Sequence, residues 1–389
     1  MITRGSTVIV SGARALAALE IMRALAKAGH RVVATDCVAV PPARWSNAVS
    51  GYVRTPSPVF DPQGFGTSVR AIVDSERPSI WIATCEEIFH LAALRANGLS
   101  ELPLFAPPLR DLLAVHNKYE FAKRASDIGF GPSETHLLRC TDDVAAIAGR
   151  AHEMVFKPVW SRFANRVLVR PAAVHLSQLK PTKDDPWIAQ AYLPGKEVCT
   201  YAIAVNGQVL LHTAYTSRYR AGRHGAGIYF EYVDDPAVRH IVAALISVLN
   251  WTGQIAFDLR RDVMGAFKAI ECNPRATSGA HLVAHSDLAG AFASAPQAHG
   301  PRPARMIGLA MGTYGLGQVW REGGFGAWRD AFMCGGDVVT AAGDRKPSLV
   351  QLAFLGEMLV AARRGRCPLI EASTRDIAWN GATGLSGVR

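Results

Sequence analysis

The chain has 389 residues, a hydrophobic fraction of 49% and a formal net charge of +10. This length allows about two to four domains with a large core, and no run of eighteen apolar residues predicts a membrane span. The positive charge is spread along the chain and does not form the concentrated basic stripe typical of nucleic-acid binders. It therefore favours small anionic ligands and argues against nucleic acid as a partner.

Cysteine usage indicates a reducing compartment. The cysteines are odd in number and scattered, without a CxxC pair, at Cys37, Cys85, Cys140, Cys199, Cys272, Cys334 and Cys367. Reduced thiols in a cytoplasmic protein are the simplest interpretation. The opening stretch MITRGSTVIVSGAR turns polar after four apolar residues, which is typical of a first strand and not of a signal peptide.

The N-terminal region has the pattern of a parallel sheet. Apolar strands alternate with helices at 7–10, 14–28, 31–35, 65–75 and 79–83. Such alternation predicts βαβ units. A dinucleotide site would need three glycines in the first turn, and the presence of Gly12 alone argues against one.

The middle of the chain predicts antiparallel pairs. MVFK at 154–157 and NRVLV at 165–169 form one expected hairpin. CTYAIAV and QVLLHTAY are joined by Asn206-Gly207, a strong short hairpin signal. GQIAFDL and FKAIECN form a further pair, whereas the segment from about residue 304 mixes helix signals with glycine-rich turns and carries no recognisable chemistry.

The last hairpin carries two acids within apolar strands. An antiparallel pairing can place Asp258 opposite Glu271, with Asn273 two residues further along. Close carboxylates repel unless a proton or a cation lies between them, and carboxylate and amide oxygens suit Mg²⁺. Surface acids on an exposed hairpin are the alternative, but unpaired charges within apolar strands are expensive. The hairpin therefore favours a magnesium site.

Cations accompany these acids. In the stretch ECNPRATSGAHL, Arg275 shares one side of an extended segment with Glu271 and Asn273, because alternate residues of a strand point the same way. Lys118 begins a predicted helix, and Lys157 ends an apolar strand. A single lysine is more often solvated, but lysines at such positions can bind phosphate oxygens.

In their order and spacing, the motifs resemble the ATP-grasp ligases, especially the carbamoyl-phosphate-synthase-like members. The resemblance runs from about Val8 to Leu282 and rests on HNKYEFAKRASDIGFGPSET, VFKP, IAQAYLPGKEVC, IAFDL and ECNPRATSGAHL. It implies an α/β ATP-grasp fold with an N-terminal Rossmann-like preATP-grasp domain and a C-terminal extension. The implied regions are the preATP-grasp domain at 1–112, a small subdomain at 113–188, a large subdomain with the metal site at 189–303, and the extension at 304–389.

The resemblance also implies a role for each motif residue. Contacts with ATP fall to Lys118 and Lys157 at the phosphates, Gln190, Ala191 and Leu193 at the adenine, and Glu197 at the ribose. The implied magnesium ligands are Asp258, Glu271 and Asn273. The implied catalytic cations are Arg275, at the acyl phosphate, and Arg218 and Arg220, as phosphate or substrate contacts.

Some features depart from the family pattern or add to it. The loop WSRFANR stands where relatives often carry a glycine-rich sequence that covers the phosphates. His224, Thr277 and His281 are candidates to face the second substrate. His281 and His285 also have the spacing of a zinc site on a helix, although the sequence shows no third ligand.

The resemblance implies a ligase that uses ATP and Mg²⁺, with Mn²⁺ as an alternative metal. It would activate a small carboxylate as an acyl phosphate, release ADP and phosphate, and join the acyl group to an amine. Carboxyphosphate or carbamoyl phosphate chemistry is one alternative, and a non-catalytic ATP-binding regulatory protein is another. Dimers are common in the family, so a homodimer is an expectation. The substrates are not predicted: Glu86 and Glu87 fit the first turn of a helix at least as well as a substrate contact.

Overall fold

The computed structural model of the chain describes residues 2–161, 166–222, 225–297 and 300–379. These residues form three β-sheets with helices packed against them. Within the described ranges, no helix is long and apolar enough to cross a membrane. The predicted α/β class is confirmed.

The first sheet is parallel and has the strand order β3-β2-β1-β4. Its strands are β1 (Thr7–Ser11), β2 (Arg31–Asp36), β3 (Gly51–Arg54) and β4 (Ile80–Ala83). The accompanying helices are α1 (Leu16–Lys27), α2 (Pro62–Glu76) and α3 (Glu87–Ala96). The continuous apolar runs of the central strands are buried, as is typical of a parallel sheet covered on both faces. The βαβ units expected from the sequence are confirmed.

Two helices lead from the first sheet to the second. α4 (Leu109–His116) is followed at once by α5 (Lys118–Asp127), with Asn117 between them. The Asn117 side chain accepts hydrogen bonds from the backbone N–H groups of Tyr119 and Glu120, at 3.0 and 3.1 Å. This N-cap fixes the start of α5 and thereby the position of its first residue.

The second sheet is small and antiparallel, with the order β5-β8-β6-β7. Its strands are β5 (Thr135–Leu138), β6 (Met154–Pro158), β7 (Leu168–Val169) and β8 (Trp187–Ala191), accompanied by α6 (Thr141–Ile147) and α7 (Ala173–Leu176). Val155 pairs with Val169, and Phe156 pairs with Leu168. The expected pairing of 154–157 with 165–169 is therefore confirmed at these positions, while residues 162–165 lie outside the described part.

The third sheet is the largest and has the order β13-β12-β9-β10-β11-β14-β15. Its strands are β9 (Glu197–Val205), β10 (Gln208–Ser217), β11 (Tyr229–Val233), β12 (Gly253–Arg261), β13 (Phe267–Asn273), β14 (Arg305–Met306) and β15 (Gly336–Asp337). The β9–β10 turn has φ of +48° at Asn206 and +75° at Gly207, the left-handed conformation that a two-residue hairpin turn requires. Both hairpins predicted here are confirmed. Helix α8 (Pro236–Val248) packs against β10.

The C-terminal part of the chain is mostly helical but also completes the third sheet. Helix α9 (His285–Phe292) precedes this part. The helices of the C-terminal part are α10 (Gly308–Ala310), α11 (Leu316–Glu322), α12 (Phe325–Cys334), α13 (Lys346–Gly365) and α14 (Leu369–Ala372). β14 pairs antiparallel with β11 and parallel with β15. The segment beyond residue 304 is thus continuous with the large sheet.

Two buried ion pairs join the C-terminal part to the first sheet and its helix. Arg14 lies 2.6 Å from Asp376, and Arg23 on α1 lies 2.8 Å from Asp344. The two arginine side chains are only 4% and 7% exposed. These pairs join the C-terminal part to the N-terminal region; Arg23 depends on Asp344 for its carboxylate, whereas Arg14 also contacts Asp36 at 2.6 Å.

Candidate active site

A cleft of about 620 Å³ lies between the second and third sheets. Residues from separate motifs of the sequence converge on it: Lys118, Lys157, Gln190, Ala191, Leu193, Glu197, Arg220, Asp258, Glu271, Asn273 and Arg275. Arg218, the remaining residue of the predicted set, is exposed and does not line the cleft. The cleft thus unites the end of β6, the start of β9 and the β12–β13 hairpin at one place.

Two buried lysines form a positively charged wall of the cleft. Lys118 is 3% exposed and Lys157 is 5% exposed. Lys118 Nζ donates to the carbonyl of Ser161 at 2.8 Å and lies 3.4 Å from a carboxylate oxygen of Glu271, while Lys157 Nζ donates to the carbonyl of Ile270 at 3.0 Å. Burial, opposed by Glu271 and assisted by the charge of Lys118, lowers the pKa of Lys157 to about 8. Cations buried with so few carboxylates favour an anionic ligand.

The adjoining wall, formed by the β12–β13 hairpin, carries the acids that the hairpin pattern predicted. Asp258 and Glu271 are direct partners in the β12–β13 register, which shifts immediately after Asp258. The Asn273 amide donates to Asp258 at 3.3 Å. Burial, followed by the carboxylates of Glu197 and Glu271, raises the pKa of Asp258 to about 7. This carboxylate therefore sits in an excess of negative charge, which a bound cation would relieve.

The donor set at this wall fits a hard divalent cation. Two carboxylates and an amide oxygen are oxygen ligands of the kind Mg²⁺ prefers. Across the described ranges, no three His, Cys, Asp or Glu side chains are grouped closely enough to hold a metal. A set of two acids and one amide fits a metal that keeps positions for water and phosphate oxygens.

Glu197 and Arg220 form an ion pair at one side of the cleft. The Arg220 guanidinium lies 3.0 Å from Glu197, and Arg260 lies 3.8 Å from the other carboxylate oxygen. Burial pulls the pKa of Glu197 upward, but Arg220 and the other donors outweigh burial and leave that pKa lowered. Glu197 is therefore a charged acceptor, and Arg220 contacts this acceptor instead of standing free in the cleft.

The segment after β8 offers mostly backbone and apolar surface. Gln190 is buried, and its amide donates weakly to the Thr135 hydroxyl at 3.5 Å. The backbone N–H of Ala191 donates to the Glu134 carbonyl, and the Leu193 carbonyl accepts from Arg260 at 3.1 Å. This strand end lines the cleft with backbone groups and the apolar side chains of Ala191 and Leu193, on which a planar ring can pack.

The loop after β13 positions Arg275. Its guanidinium donates to the Asn273 amide oxygen and to the Ala276 carbonyl, both at 3.3 Å. Thr277 also lines the cleft and donates to the Thr200 carbonyl at 3.3 Å. Asn273 thus contacts Asp258 on the neighbouring strand and Arg275 on its own segment.

The sequence analysis considered His281 as a contact of the second substrate or a zinc ligand, but its side chain binds a carboxylate instead. It is buried and lies 3.1 Å from Glu20, whose other carboxylate oxygen lies 2.7 Å from His285. Burial would raise the pKa of Glu20, but the two imidazoles outweigh it and lower that pKa to about 2. Both histidines of the HxxxH pair thus bind a carboxylate, and His281 does not line the cleft.

Some features of the cleft were not predicted, and some predictions fall elsewhere. Sequence reasoning missed Tyr215 and Phe230, which line the cleft from β10 and β11, because aromatic residues in strands are typical of any core. Of the loop WSRFANR, Ser161 reaches the cleft, whereas residues 162–165 lie outside the described part. His224 also lies outside the described residues.

Comparison with known proteins identifies the fold. No family model and no curated protein matches the chain. Among solved structures, it resembles the ADP complex of PurK, an N5-carboxyaminoimidazole ribonucleotide synthetase, with 14% identity, 83% of this chain and 86% of that chain covered, and a TM-score of 0.61. It also resembles the L-amino acid ligase from Bacillus licheniformis, with 15% identity, coverage of 79% and 81%, and a TM-score of 0.57.

A third similar structure is the biotin carboxylase domain dimer of the Hydrogenobacter thermophilus 2-oxoglutarate carboxylase, in complex with MgADP, ADP and bicarbonate. It shares 12% identity over 78% of this chain and 74% of that chain, with a TM-score of 0.61. These structures have the ATP-grasp fold, and they match most of the chain. The chain therefore has the ATP-grasp fold, as its motifs predicted.

Proposed function

We propose that the chain is an ATP- and Mg²⁺-dependent ligase that activates a carboxylate as an acyl phosphate and joins it to an amine. The observation that carries the proposal is the convergence in one cleft of two buried lysines, the Asp258–Glu271–Asn273 set and Arg275. The resemblance to an L-amino acid ligase and to an ADP-bound synthetase supports it.

The proposed nucleotide site uses the whole length of the cleft. Lys118 and Lys157 bind the phosphates, Glu197 binds the ribose hydroxyls, and the segment Gln190, Ala191 and Leu193 packs on the adenine. Asp258, Glu271 and Asn273 hold Mg²⁺, which neutralises charge on the β- and γ-phosphates. A similar structure that holds MgADP supports this metal and gives no support to Mn²⁺.

The proposed reaction has two steps. A carboxylate oxygen of the substrate attacks the γ-phosphorus of ATP, the bond to the β-γ bridging oxygen breaks, and ADP leaves. The amine nitrogen then attacks the acyl carbon, phosphate leaves, and the nitrogen loses a proton as the amide forms. The chain's contribution is positioning and charge stabilisation by fixed cations. Arg275 is placed to stabilise charge on the acyl phosphate, next to the metal set.

Arg220 and Arg218 were also predicted to contact phosphate or substrate, and the support for the two residues differs. Arg220 reaches the cleft but contacts Glu197, so we propose that it shifts toward phosphate or substrate when the ribose engages Glu197. Arg218 is exposed and outside the cleft. Its proposed substrate contact therefore requires a substrate that extends to the surface.

Nucleotide release tests the proposal. The full chain is incubated with MgATP and pools of carboxylic acids, with and without amines, and ADP is resolved from AMP. ADP and phosphate that appear only with a particular acid and amine would support the ligase and identify its substrates. AMP and pyrophosphate would contradict the acyl-phosphate step, and ATP binding without release from any pool would favour a regulatory protein.

Bicarbonate is a second candidate for the activated carboxylate. The observation that favours it is the resemblance to a biotin carboxylase domain whose complex contains bicarbonate. The product of the first step would then be carboxyphosphate. ADP release that depends on bicarbonate and needs no organic acid would support this candidate, whereas release that is unchanged after removal of dissolved carbon dioxide would contradict it.

The cellular setting and assembly are also proposals. A cytoplasmic location is supported by the cysteines, all of which are free thiols. A homodimer is supported by the dimeric state of one similar structure. Sedimentation of the purified chain would test the dimer, and a monomer at micromolar concentration would contradict it.

A further inference from the structure

A segment of the C-terminal part covers the carboxyl edge of the first sheet at β1. In open parallel sheets, ligands bind beyond the carboxyl ends of the strands, where the strand order reverses. Here the reversal lies at β1, between β2 and β4. The segment 373–379, which we call the closing segment, lies at this edge, and Ile377 lines a residual space of about 10 Å³. That space holds no more than about one water molecule.

One end of the closing segment presents a carboxylate to a buried arginine. Arg14 donates to the two oxygens of Asp376 at 2.6 and 2.9 Å and also to the carbonyl of Ser373 at 2.9 Å. The same guanidinium already contacts Asp36 at 2.6 Å. Because Asp36 alone balances its charge, the second carboxylate is not needed for neutrality. Arg14 therefore has the geometry of a two-pronged carboxylate receptor.

The other end of the closing segment presents an N–H group to a buried acid. The backbone N–H of Trp379 donates to Glu86 at 3.0 Å, and Glu86 is 3% exposed. The indole of Trp379 contacts the rings of Phe89 and His90, with centroid distances of 5.9 and 4.9 Å. The closing segment thus presents a carboxylate to Arg14 and an N–H group to Glu86.

A further buried acid faces the residual space. Glu87 lines it and is 4% exposed. Its Oε1 accepts from the Ser11 hydroxyl at 2.9 Å, whereas its Oε2 has no hydrogen-bond partner within the described part of the chain. A buried acceptor without a partner is costly, and a ligand N–H group would satisfy it.

Aromatic rings connect the closing segment to the candidate active site. Trp379 contacts Phe89 with a centroid distance of 5.9 Å, and Phe89 contacts His116 at 4.6 Å. His116 in turn lies 5.5 Å from Trp160, the chain neighbour of Ser161 in the cleft.

We propose that Arg14 and Glu86 form a binding site for a small molecule that carries a carboxylate and an amino group, such as an amino acid or a short peptide, and that the closing segment occupies this site until such a ligand displaces it. Asp376 takes the place of the ligand carboxylate, and the Trp379 N–H takes the place of its amino group. We further propose that this ligand is the amine substrate of the ligase. That identity rests on the proposed function, whereas the binding site itself does not.

Hydrogen exchange of the full-length wild-type chain tests the displacement without catalysis. The probes are an equimolar pool of the twenty L-amino acids and, separately, Gly-Gly; glycinamide, which lacks the carboxylate, is the control. We expect amide exchange in 373–379 to accelerate about tenfold with a probe that binds. Exchange around Asp344, which is held by the separate Arg23 pair, should stay unchanged.

Three other outcomes of the hydrogen-exchange experiment would contradict the inference. No acceleration with either probe, equal acceleration with glycinamide, or equal loosening around Asp344 would each show that the closing segment is a fixed structural contact. Because no ATP is present, a failure here leaves the ADP-release test intact, and a failure of that test leaves this result intact.

A matched pair of substitutions adds a second measurement. Asp376→Asn removes the competing carboxylate, so a probe that accelerates exchange should bind about tenfold more tightly to this variant by calorimetry. Asp344→Asn breaks the equivalent buried pair with Arg23 and should leave probe affinity unchanged. Equal affinity in both variants would contradict the competition between ligand and closing segment. Trp379→Ala, which loosens the opposite end, should reproduce the effect of Asp376→Asn.

Discussion

Two titratable side chains of the cleft have pKa values that approach neutrality from opposite directions. Burial raises the pKa of Asp258 to about 7 and lowers that of Lys157 to about 8. Each shift reflects a charge that the chain itself compensates poorly, negative at one wall and positive at the other. The two walls are therefore complementary to a cation and an anion bound together, as in a metal–phosphate complex.

The lowered pKa of Lys157 predicts a pH dependence of nucleotide binding. The lysine is charged below its pKa, so its attraction for phosphate is present below about pH 8 and is lost as the pH rises through that value. Above pH 8, ADP affinity measured by calorimetry should fall by up to about tenfold per pH unit. Lys157→Arg keeps its charge and should show a flatter profile; the same decline in both proteins would contradict the assignment.

Glu271 provides the sharpest test of the metal site. Glu271→Gln preserves shape but removes one of the two carboxylates, so metal-dependent turnover should fall by about a hundredfold or more. Mg²⁺ titration by calorimetry should show a parallel loss of affinity. Glu231→Gln, an equivalent change on β11, is the control and should remain near wild type. Normal Mg²⁺ affinity in Glu271→Gln would mean that the metal binds elsewhere.

At the scale of elements, the sequence predicted the hairpins of the large sheet but not the short strands that extend the sheet at its edge. Alternating apolar residues and the Asn206-Gly207 turn predicted the pairs that became β9–β10 and β12–β13, including Asp258 opposite Glu271. The two-residue strands β14 and β15 are too short to carry a periodic pattern. Their places are set by tertiary contact with β11, which local sequence does not encode.

The N-cap of α5 links an element to the site. Asn117→Ala should lower the free energy of unfolding by about 1 kcal/mol and also weaken ADP binding, because α5 begins at Lys118. Asp61 caps α2 through the backbone N–H of Gly64 at 2.9 Å, away from the cleft, so Asp61→Ala should cost similar stability with unchanged ADP affinity. Urea unfolding and calorimetry separate the two effects. Equal ADP affinity in both variants would contradict the role of the cap.

At the scale of the whole molecule, contacts between distant parts of the chain could not be predicted from the sequence. Glu20 lies on a helix that reads as an ordinary amphipathic segment, and its partner His281 lies 261 positions away. Likewise, the C-terminal segment showed no chemistry in its own pattern, yet Asp376 and Asp344 each bind a buried arginine of the N-terminal region. The motifs predicted the cleft because each carries a charged or amide side chain that the fold brings to one place. The proposed division at 112, 188 and 303 remains a prediction.

Glu20 should make the stability of the whole molecule sensitive to acid. Its pKa falls from an ordinary 4.5 to about 2 on folding, so its contribution is present above pH 4.5 and is lost as the pH falls toward 2. That contribution is on the order of 3 kcal/mol. Urea unfolding at pH 6 and pH 3 should show a larger acid loss for wild type than for Glu20→Gln. Identical losses would contradict this account.

The position of β14 and β15 has a consequence for how the chain is made. Synthesis proceeds from the N-terminus, so β11 is complete at residue 233 while its neighbour β14 begins at 305 and β15 at 336. Until then, one edge of the large sheet presents unpaired backbone groups, which are a template for association with other chains. The nascent protein is therefore open to association at this edge until β14 and β15 have left the ribosome.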